Sequence, residues 1–397
     1  MLSKFKVQHY KSLFDTEIEL EPLTVLIGPN GSGKSNICEA LVLFSFFFRR
    51  LIHDPQTQSF TELFDNSLID VNRNKQEIKS KFWQGKLDFL AFEISSILKN
   101  INVNDNSSDN HILSINFDYS RQNHILSTNF DYSRQKNLKE NLKIRFNGNE
   151  ILLPIKNRPS QDKLNSFLEE NKYHSSSISK SLEKILVYDF IPKDLSTNAS
   201  SIDRIDRTGK GITTSLVDIL HENRESFDEL EERLTKLIPN IKRISLPRGE
   251  NQTFELELID KYSEHHIPAT DVSHGTLKIL GFLTALYEKE TPSIICFEEL
   301  ENGVHPWLLH KMMELLKIVS TEGINGKSVQ VLITTHSPLL LNYVEPYQVR
   351  AVELDGEGKT QVHKLPIDSV RFQKALEAYD GELGELWFTN VFGGNPT

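Results

Sequence analysis

Gly28-Pro29-Asn30-Gly31-Ser32-Gly33-Lys34-Ser35 fits GxxxxGK[ST], a spacing suited to holding phosphate. Gly28, Gly31 and Gly33 let backbone N–H groups turn inward around an anion, with Pro29, Asn30 and Ser32 completing the loop. A helix that starts where the loop ends adds the positive end of its dipole. Lys34 is placed to reach the β- and γ-phosphates of a nucleoside triphosphate, and Ser35 to offer a hydroxyl to Mg²⁺.

Hydrolysis at such a loop needs carboxylates for the metal and for the attacking water. The apolar run Ser293-Ile294-Ile295-Cys296-Phe297 ends in Glu298-Glu299-Leu300-Glu301. Strand alternation sends Glu298 and Glu299 to opposite sides of the chain, one toward the metal shell and one toward water. A further run, Val329 to Thr334, delivers Thr335-His336-Ser337-Pro338. By itself His336 could cap a strand; beside the other two motifs, contact with the γ-phosphate is the better reading. Asp271-Val272-Ser273-His274-Gly275-Thr276-Leu277 opens an apolar helix to about Tyr287. Ser273 suits its N-cap, and Gly275 leaves room for a phosphate at the helix start, although alone the segment reads as an ordinary capped helix.

These residues need a framework. Leu23-Thr24-Val25-Leu26-Ile27 has the β-branched character of a buried parallel strand feeding the glycine loop, and a helix is expected from Ser35 to about Phe48. The 397 residues suit one large α/β domain or two modest ones. With 38% hydrophobic residues and 23 Phe there is material for a core, which excludes wholesale disorder. The formal charge of −10 argues against a small basic DNA-coating protein but leaves room for a local basic groove. Cys38 and Cys296 cannot form a disulfide framework or a structural zinc site, and are expected to pack as small apolar residues. No secretory signal opens the chain, and the apolar run Ile37–Phe48 contains Glu39 and is too short to span a bilayer. The expectation is a soluble cytoplasmic protein with no membrane partner.

The order of motifs (phosphate loop, Ser-His-Gly-Thr helix, Glu-Glu strand, Thr-His-Ser-Pro strand end) resembles the ABC-type ATPase heads of the SMC, RecF and OLD proteins. It is most similar to the compact prokaryotic AAA-family ATPases of the RecF/OLD type, many of them found in anti-phage defence operons. The likeness spans nearly the whole chain, from Val7-Gln8-His9-Tyr10-Lys11-Ser12-Leu13, through the D-loop-like Glu301-Asn302-Gly303-Val304-His305-Pro306, to Gly384-Glu385-Leu386-Trp387. It implies an α/β P-loop NTPase head of ABC/SMC type, with a mixed central sheet, an antiparallel β-subdomain and a helical lid subdomain. Residues 1–75 and 288–397 would form the nucleotide-binding lobe of a single discontinuous head, 76–160 a β-rich insert and 161–287 a helical signature subdomain.

The resemblance also implies roles. Lys34 and Ser35 bind phosphates and Mg²⁺, Glu298 supports the metal, Glu299 polarises water and His336 senses the γ-phosphate. Ser273 and Gly275 touch the γ-phosphate held by a second copy, and Asn302 and His305 lie at the seam of that ATP-sandwiched homodimer. Glu298 stands where many relatives carry Asp, and Leu300 replaces a common Pro; neither removes a required charge. His274 has no assigned role, and Gln84 is a weak candidate for the Q-loop glutamine. The implied function is an ATP-hydrolysing, ATP-gated dimer acting on DNA in defence or repair, with a separate nuclease-like effector. A scaffold with little turnover and a transport ATPase are the alternatives, the second disfavoured by the long separation of Lys34 and Glu298. The insert lacks the heptads of long coiled-coil arms, and the stretch after His336 is too short for an appended TOPRIM nuclease.

Within the insert, strands are expected at Phe89–Ile94, Leu142–Phe146 and Ile151–Leu153, with Asn147-Gly148 as a hairpin cue. His111–Asn123 recurs from His124 to Gln135 with Ile115 replaced by Thr128, a duplication expected at a tolerant hairpin on a sheet edge; a partner-binding β-arm is the alternative. Residues 160–270 read as mainly helical, with Leu216, Leu220, Phe227, Leu230, Leu234 and Leu237 on one face, and loops at Ser175–Ser177 and Ser196–Ser201. Arg233, Lys236, Lys242, Arg243 and Arg248 form the densest basic region near the signature, either a solvated face or a contact for nucleic-acid phosphates.

Overall fold

The structure is a computed structural model that describes residues 1–53, 89–97, 110–119, 140–146, 149–154, 161–171, 181–182, 184–197, 204–249, 253–324, 326 and 329–394. In chain order the elements are β1 (Leu2–Tyr10), β2 (Leu13–Glu19), β3 (Leu23–Ile27), α1 (Lys34–His53), β4 (Phe89–Ile97), β5 (Asn110–Tyr119), β6 (Glu140–Phe146), β7 (Asn149–Pro154) and α2 (Gln161–Glu170). There follow β8 (Ile185–Tyr188), α3 (Pro192–Leu195), α4 (Ile212–Glu222), α5 (Arg224–Leu237), β9 (Ile241–Ser245), β10 (Glu257–Asp260), β11 (His266–Pro268) and α6 (His274–Leu286). The chain continues through β12 (Ile294–Glu298), α7 (Pro306–Glu322), β13 (Gln330–Thr335), α8 (Pro338–Leu341), β14 (Val349–Leu354), β15 (Thr360–Lys364), α9 (Val370–Ala378) and α10 (Leu383–Phe388).

Among the described residues the central sheet has the order β15-β14-β3-β13-β12-β8, parallel except for the antiparallel edge strand β15. Strands β3, β12 and β13 are buried along their whole length because both faces are covered, and apolar residues dominate them. Leu26, Cys296 and Leu332 join Ile37, Leu41 and Phe44 of α1 in one core, while Val25, Ile27, Ile295, Phe297, Val331 and Ile333 join α6 and α7 in the other. Beyond α1 lies an antiparallel sheet, β2-β1-β4-β5-β6-β7, whose Phe5 and Val7 complete the α1 core. Cys38 and Cys296 meet there as buried free thiols, and their contact together with burial pushes the Cys38 thiol well up. Parallel pairing sets the strand ends that carry chemistry side by side: Glu298 is level with Thr334, and Thr335 with Ile27.

Several expectations need correction. Helix α1 continues past Phe48 to His53. Strands β4 to β7 lie where the insert was expected to be β-rich, yet β1 pairs directly with β4, so no sheet boundary falls at residue 75. The described part of the first copy, residues 111–119, lies in β5, an interior strand between β4 and β6, and not on the sheet edge where the duplication was expected. The second copy from His124, the turn residues Asn147 and Gly148, Gln84, and residues 175–177 and 198–201 lie outside the described residues. Strands β6 and β7 do pair antiparallel across that turn, with Phe146 opposite Asn149.

Residues 161–287 are less helical than expected. Strand β8 joins the central sheet beside β12, and β9, β10 and β11 form a three-stranded antiparallel sheet. The reason is the pairing: β9 and β10 meet across a register shift at Ile259/Asp260 that lets Ile241 and Ile244 both be buried while Lys242 and Arg243 are exposed, and the turn after β10 is closed by Asp260 Oδ1 accepting from the Tyr262 and Ser263 amides. The apolar series from Leu216 to Leu237 is two helices, broken where Asn223 caps the second by accepting from the Ser226 amide. Among the described residues no helix is long and apolar enough to cross a membrane.

Candidate functional site

β3 delivers the glycine loop to the start of α1. Gly31 and Gly33 have φ of +79° and +103°, in the left-handed region, and a Cβ on Gly33 would lie 2.1 Å from Thr360 Oγ1. A Cβ on Gly28 would lie 2.0 Å from the Val352 carbonyl oxygen, so β14 and β15 form the back wall of the loop. A directed chain of hydrogen bonds braces it: Asn36 Nδ2 donates to Ser12 Oγ (2.8 Å), Ser12 Oγ meets Thr360 Oγ1 (2.7 Å), and Thr360 Oγ1 donates to the Ser32 carbonyl (2.9 Å). Lys34 is buried at the base, its ammonium donating to the carbonyls of Gly28 (2.7 Å) and Pro29 (2.8 Å). Burial lowers its pKa, against the pull of Glu299 and Glu301. Ser32 Oγ is buried without a hydrogen-bond partner among the described residues.

Glu298 and Glu299 border one recess and take different partners. Glu298 ends β12 at 8% exposure. Burial raises its pKa, opposed by the Arg207 guanidinium and by a hydrogen bond from the Ser35 hydroxyl, so the two expected metal ligands are in contact. Glu299 is half-buried with φ +46°, its amide donating to the Thr334 carbonyl (2.9 Å) and its carboxylate accepting from Asn302 Nδ2. His336 Nδ1 lies 3.8 Å from Glu299 and 3.7 Å from Glu301, with no hydrogen-bond partner of its own among the described residues. Glu301 accepts from Thr335 Oγ1 (2.7 Å) and the His336 amide (3.1 Å), so it fixes the end of β13.

Ser273 caps α6 by accepting from the Thr276 amide (3.2 Å), and Ser273 and His274 are exposed. Gly275 is small for a reason inside its own chain: a Cβ there would lie 2.7 Å from the Gly303 carbonyl oxygen. His305 caps α7 by accepting from the Trp307 amide (3.2 Å), leaving Trp307 half exposed. The basic region is largely neutralised: Arg233 pairs with Glu229 (2.7 Å), Lys236 with Glu232 (2.5 Å) and Lys242 with Glu264, while Arg248 lies over Phe254. That is the solvated-face arrangement.

Four residues that no motif marks belong to this site. Arg207 donates to Glu298 Oε1 (2.6 Å) and to Glu39 Oε1 (3.3 Å). Burial opposes its charge, and the two carboxylates more than offset that, raising its pKa. Lys278, one turn into α6, lines a recess with Phe297 and Glu299, and desolvation lowers its pKa against Asp189, Glu299 and Glu301. Asp189 follows β8, near enough to Glu298 for its charge to be felt there. The one usable signal was the Asp206-Arg207-Thr208-Gly209-Lys210-Gly211 turn composition, which marks a loop and not a partner for β12.

Residues 23–342 match the family model described as AAA domain, putative AbiEii toxin, Type IV TA system. An ATP/GTP phosphatase of Helicobacter pylori (strain ATCC 700392 / 26695) is 24% identical over an alignment of 400 residues that covers 98% of each protein. A DNA double-strand break repair Rad50 ATPase of Methanopyrus kandleri is 31% identical over 88 residues, 21% of this chain and 10% of that one. Among solved structures, an SMC head bound to the C-winged helix domain of ScpA has a TM-score of 0.55 at 13% identity, covering 92% of this chain and 98% of that one. An SMC head with an extended coiled coil, bound to the C-terminal domain of ScpA derived from Pyrococcus furiosus, has a TM-score of 0.50 at 13% identity, covering 96% and 99%. At those identities the structural likeness establishes the fold.

Proposed function

The chain belongs to the AAA-domain family whose model spans residues 23–342, it has the fold of an SMC-type head, and it is an ATPase; from that premise we propose that it binds ATP with Mg²⁺ and that two copies close around the nucleotides. Each copy would present the start of α6 to the phosphates held by the other. The observation that carries this reading is a division of labour: Lys34 and Ser32 are buried in a finished cradle, while Ser273 and His274 stand exposed at the N-terminus of a 13-residue helix.

Within one site, Lys34 turns from the Gly28 and Pro29 carbonyls onto the β- and γ-phosphates. Ser35 and Glu298 are a hydroxyl and carboxylate pair suited to a hard cation that draws its remaining ligands from phosphate and water. When bound, Mg²⁺ neutralises charge gathering on the β- and γ-oxygens. Glu299, held by Asn302 and by its contact with the end of β13, orients and polarises the attacking water. His336 supplies its unpartnered ring nitrogen at the γ-phosphate side.

The cycle serves a DNA-associated process in this reading, anti-phage defence or repair, with a separate nuclease-like effector. Support comes from the motif resemblance and from the Rad50 relative, which is named for double-strand break repair. Because Arg233, Lys236 and Lys242 of one head are already paired, DNA contact in this reading draws on surface assembled across a dimer and should fall steeply with salt. The deciding variant is Ser273→Arg. ATP affinity should stay near the parent value while hydrolysis and ATP-dependent DNA binding are both lost; hydrolysis at the parent rate would remove the shared-site reading.

A further inference from the structure

The carboxylate assigned to the metal is not free to move. Glu298 Oε1 accepts from Arg207 Nη2 at 2.6 Å, and Nη1 of the same guanidinium donates to Glu39 Oε1 at 3.3 Å. Glu298 and Glu39 are 8% and 7% exposed, and they come from the two elements that flank the phosphate cradle: the end of β12, and α1 one turn after Ser35. The other Glu39 oxygen accepts from the Tyr10 hydroxyl (3.3 Å) and from the Lys11 ammonium. One guanidinium therefore lies between two buried carboxylates, each of which would otherwise repel the other.

Arg207 is itself carried rigidly. Asp206 Oδ1 accepts from the amides of Thr208 (2.8 Å), Gly209 (3.0 Å) and Lys210 (3.1 Å). The Asp189 amide then donates to the Arg207 carbonyl (2.7 Å), and the Ile191 amide to that of Thr208 (2.9 Å), which ties the turn to the chain leaving β8. Gly209 has φ +101° and leaves no room for a Cβ, which would meet Leu195 Cδ2 at 2.5 Å. Glu298 is the opposite kind of group: a glutamate side chain ends in a broad, poorly defined torsion. A forked donor set on a fixed turn is what defines its position.

We propose that Arg207 is a positioning residue for the metal: bridging Glu39 and Glu298, it sets the reach of the Glu298 carboxylate so that Mg²⁺ is met by Glu298 and Ser35 together. The proposal rests on the metal assignment made under the proposed function. Truncating Arg207 strips Glu298 of its guanidinium while Glu39 keeps Tyr10 and Lys11, so the buried Glu298 carboxylate should turn away from Glu39 and a metal ligand is withdrawn even though no ligand has been mutated. Partners that orient a metal ligand are worth about tenfold to a hundredfold in metal affinity.

The test uses Mn²⁺ as the probe, with free Mn²⁺ followed by electron paramagnetic resonance in the presence of ATP, on the full chain. Arg207→Met should weaken Mn²⁺ binding by roughly tenfold or more, while ATP binding measured in EDTA stays near the parent value. Arg207→Lys, which keeps the charge and loses the fork, should fall between the two. Parent-like Mn²⁺ affinity in Arg207→Met would reduce Arg207 to a tie between the turn and α1. Should the Met variant fail to fold, the Lys variant decides alone: weakened Mn²⁺ binding upholds the proposal and parent-like binding overturns it. A parent protein that binds no Mn²⁺ with ATP present would overturn the metal assignment itself, a result distinct from any difference among the variants.

Discussion

The two flanks of the site are built on different plans. The phosphate cradle is eight consecutive residues whose side chains and φ angles set its shape, with Ser12 and Thr360 bracing it from behind. The carboxylate flank is assembled from β12, β13, α1, α6 and the turn at Arg207, each contributing one or two groups. A locally encoded cradle fails when one residue in it changes. A convergent flank distributes its tolerances, and single changes there should alter rate or metal affinity while leaving nucleotide binding in place.

The strongest test of that contrast is Lys34→Ala. The ammonium is buried and bonded to the loop's own Gly28 and Pro29 carbonyls, and the loop carries no second cation to replace it. ATP binding by calorimetry should be lost, and with it any ATP-induced mass shift on light scattering. Retained micromolar binding would mean that the loop amides alone hold the phosphates.

Glu299→Gln should spare binding and slow turnover. Glutamine keeps the side-chain length and can still accept from Asn302, but it loses the charge that polarises water. Hydrolysis should fall by about two to four orders of magnitude, and the ATP-bound dimer should accumulate. Normal turnover would move the role to Glu298 or Glu301. Of the two, Glu301 is the less suited, because one of its oxygens is committed to Thr335 and the His336 amide.

The same contrast explains what could be read in advance. The cradle, Glu298, Glu299, His336 and the Ser273 cap were legible because contiguous motifs carry them and because apolar runs announce β3, β12 and β13. Arg207, Glu39, Asp189 and Lys278 were not, since each acquires its meaning only from a pairing between distant segments. Strand β8 was missed for a related reason: Ile185-Leu186-Val187-Tyr188 is a four-residue strand in a stretch otherwise dominated by helices, and its state is decided by pairing with β12. The three short strands after Leu237 were hidden in the same way, each too brief for alternation to outweigh the helical pattern before it.

Gly33→Ala probes the cradle's shape without touching its charge. At φ +103° an L-residue costs about 1–3 kcal/mol in backbone strain alone, and the added methyl would also displace Thr360 Oγ1 from 2.1 Å. The melting temperature should drop by several degrees. ATP affinity should fall even though Lys34 and Ser35 remain. An unchanged melt would show that the loop relaxes more freely than its back wall implies.

The smallest effect is expected from Thr360→Val, which tests whether the bracing behind the cradle matters. Valine matches threonine in shape, so packing against Gly33 is kept and only the hydroxyl is removed. The Ser32 carbonyl then loses its donor (2.9 Å in the parent), and the Ser12 hydroxyl loses its acceptor (2.7 Å) while keeping the bond from Asn36 Nδ2. Leaving such groups unpaired in a buried setting costs about 1–3 kcal/mol. Some of that should appear as weaker ATP binding, because the Ser32 peptide is part of the surface that meets phosphate. Turnover at saturating ATP should stay near the parent rate, since the bonds that place Glu299 and His336 run through Thr334, Asn302 and Glu301 instead. Ser12→Ala breaks the same hydrogen-bond chain one link earlier. The double variant should therefore cost less than the sum of the two single changes. Strict additivity would mean that Ser12 and Thr360 act independently, and that the cradle is held by its own backbone.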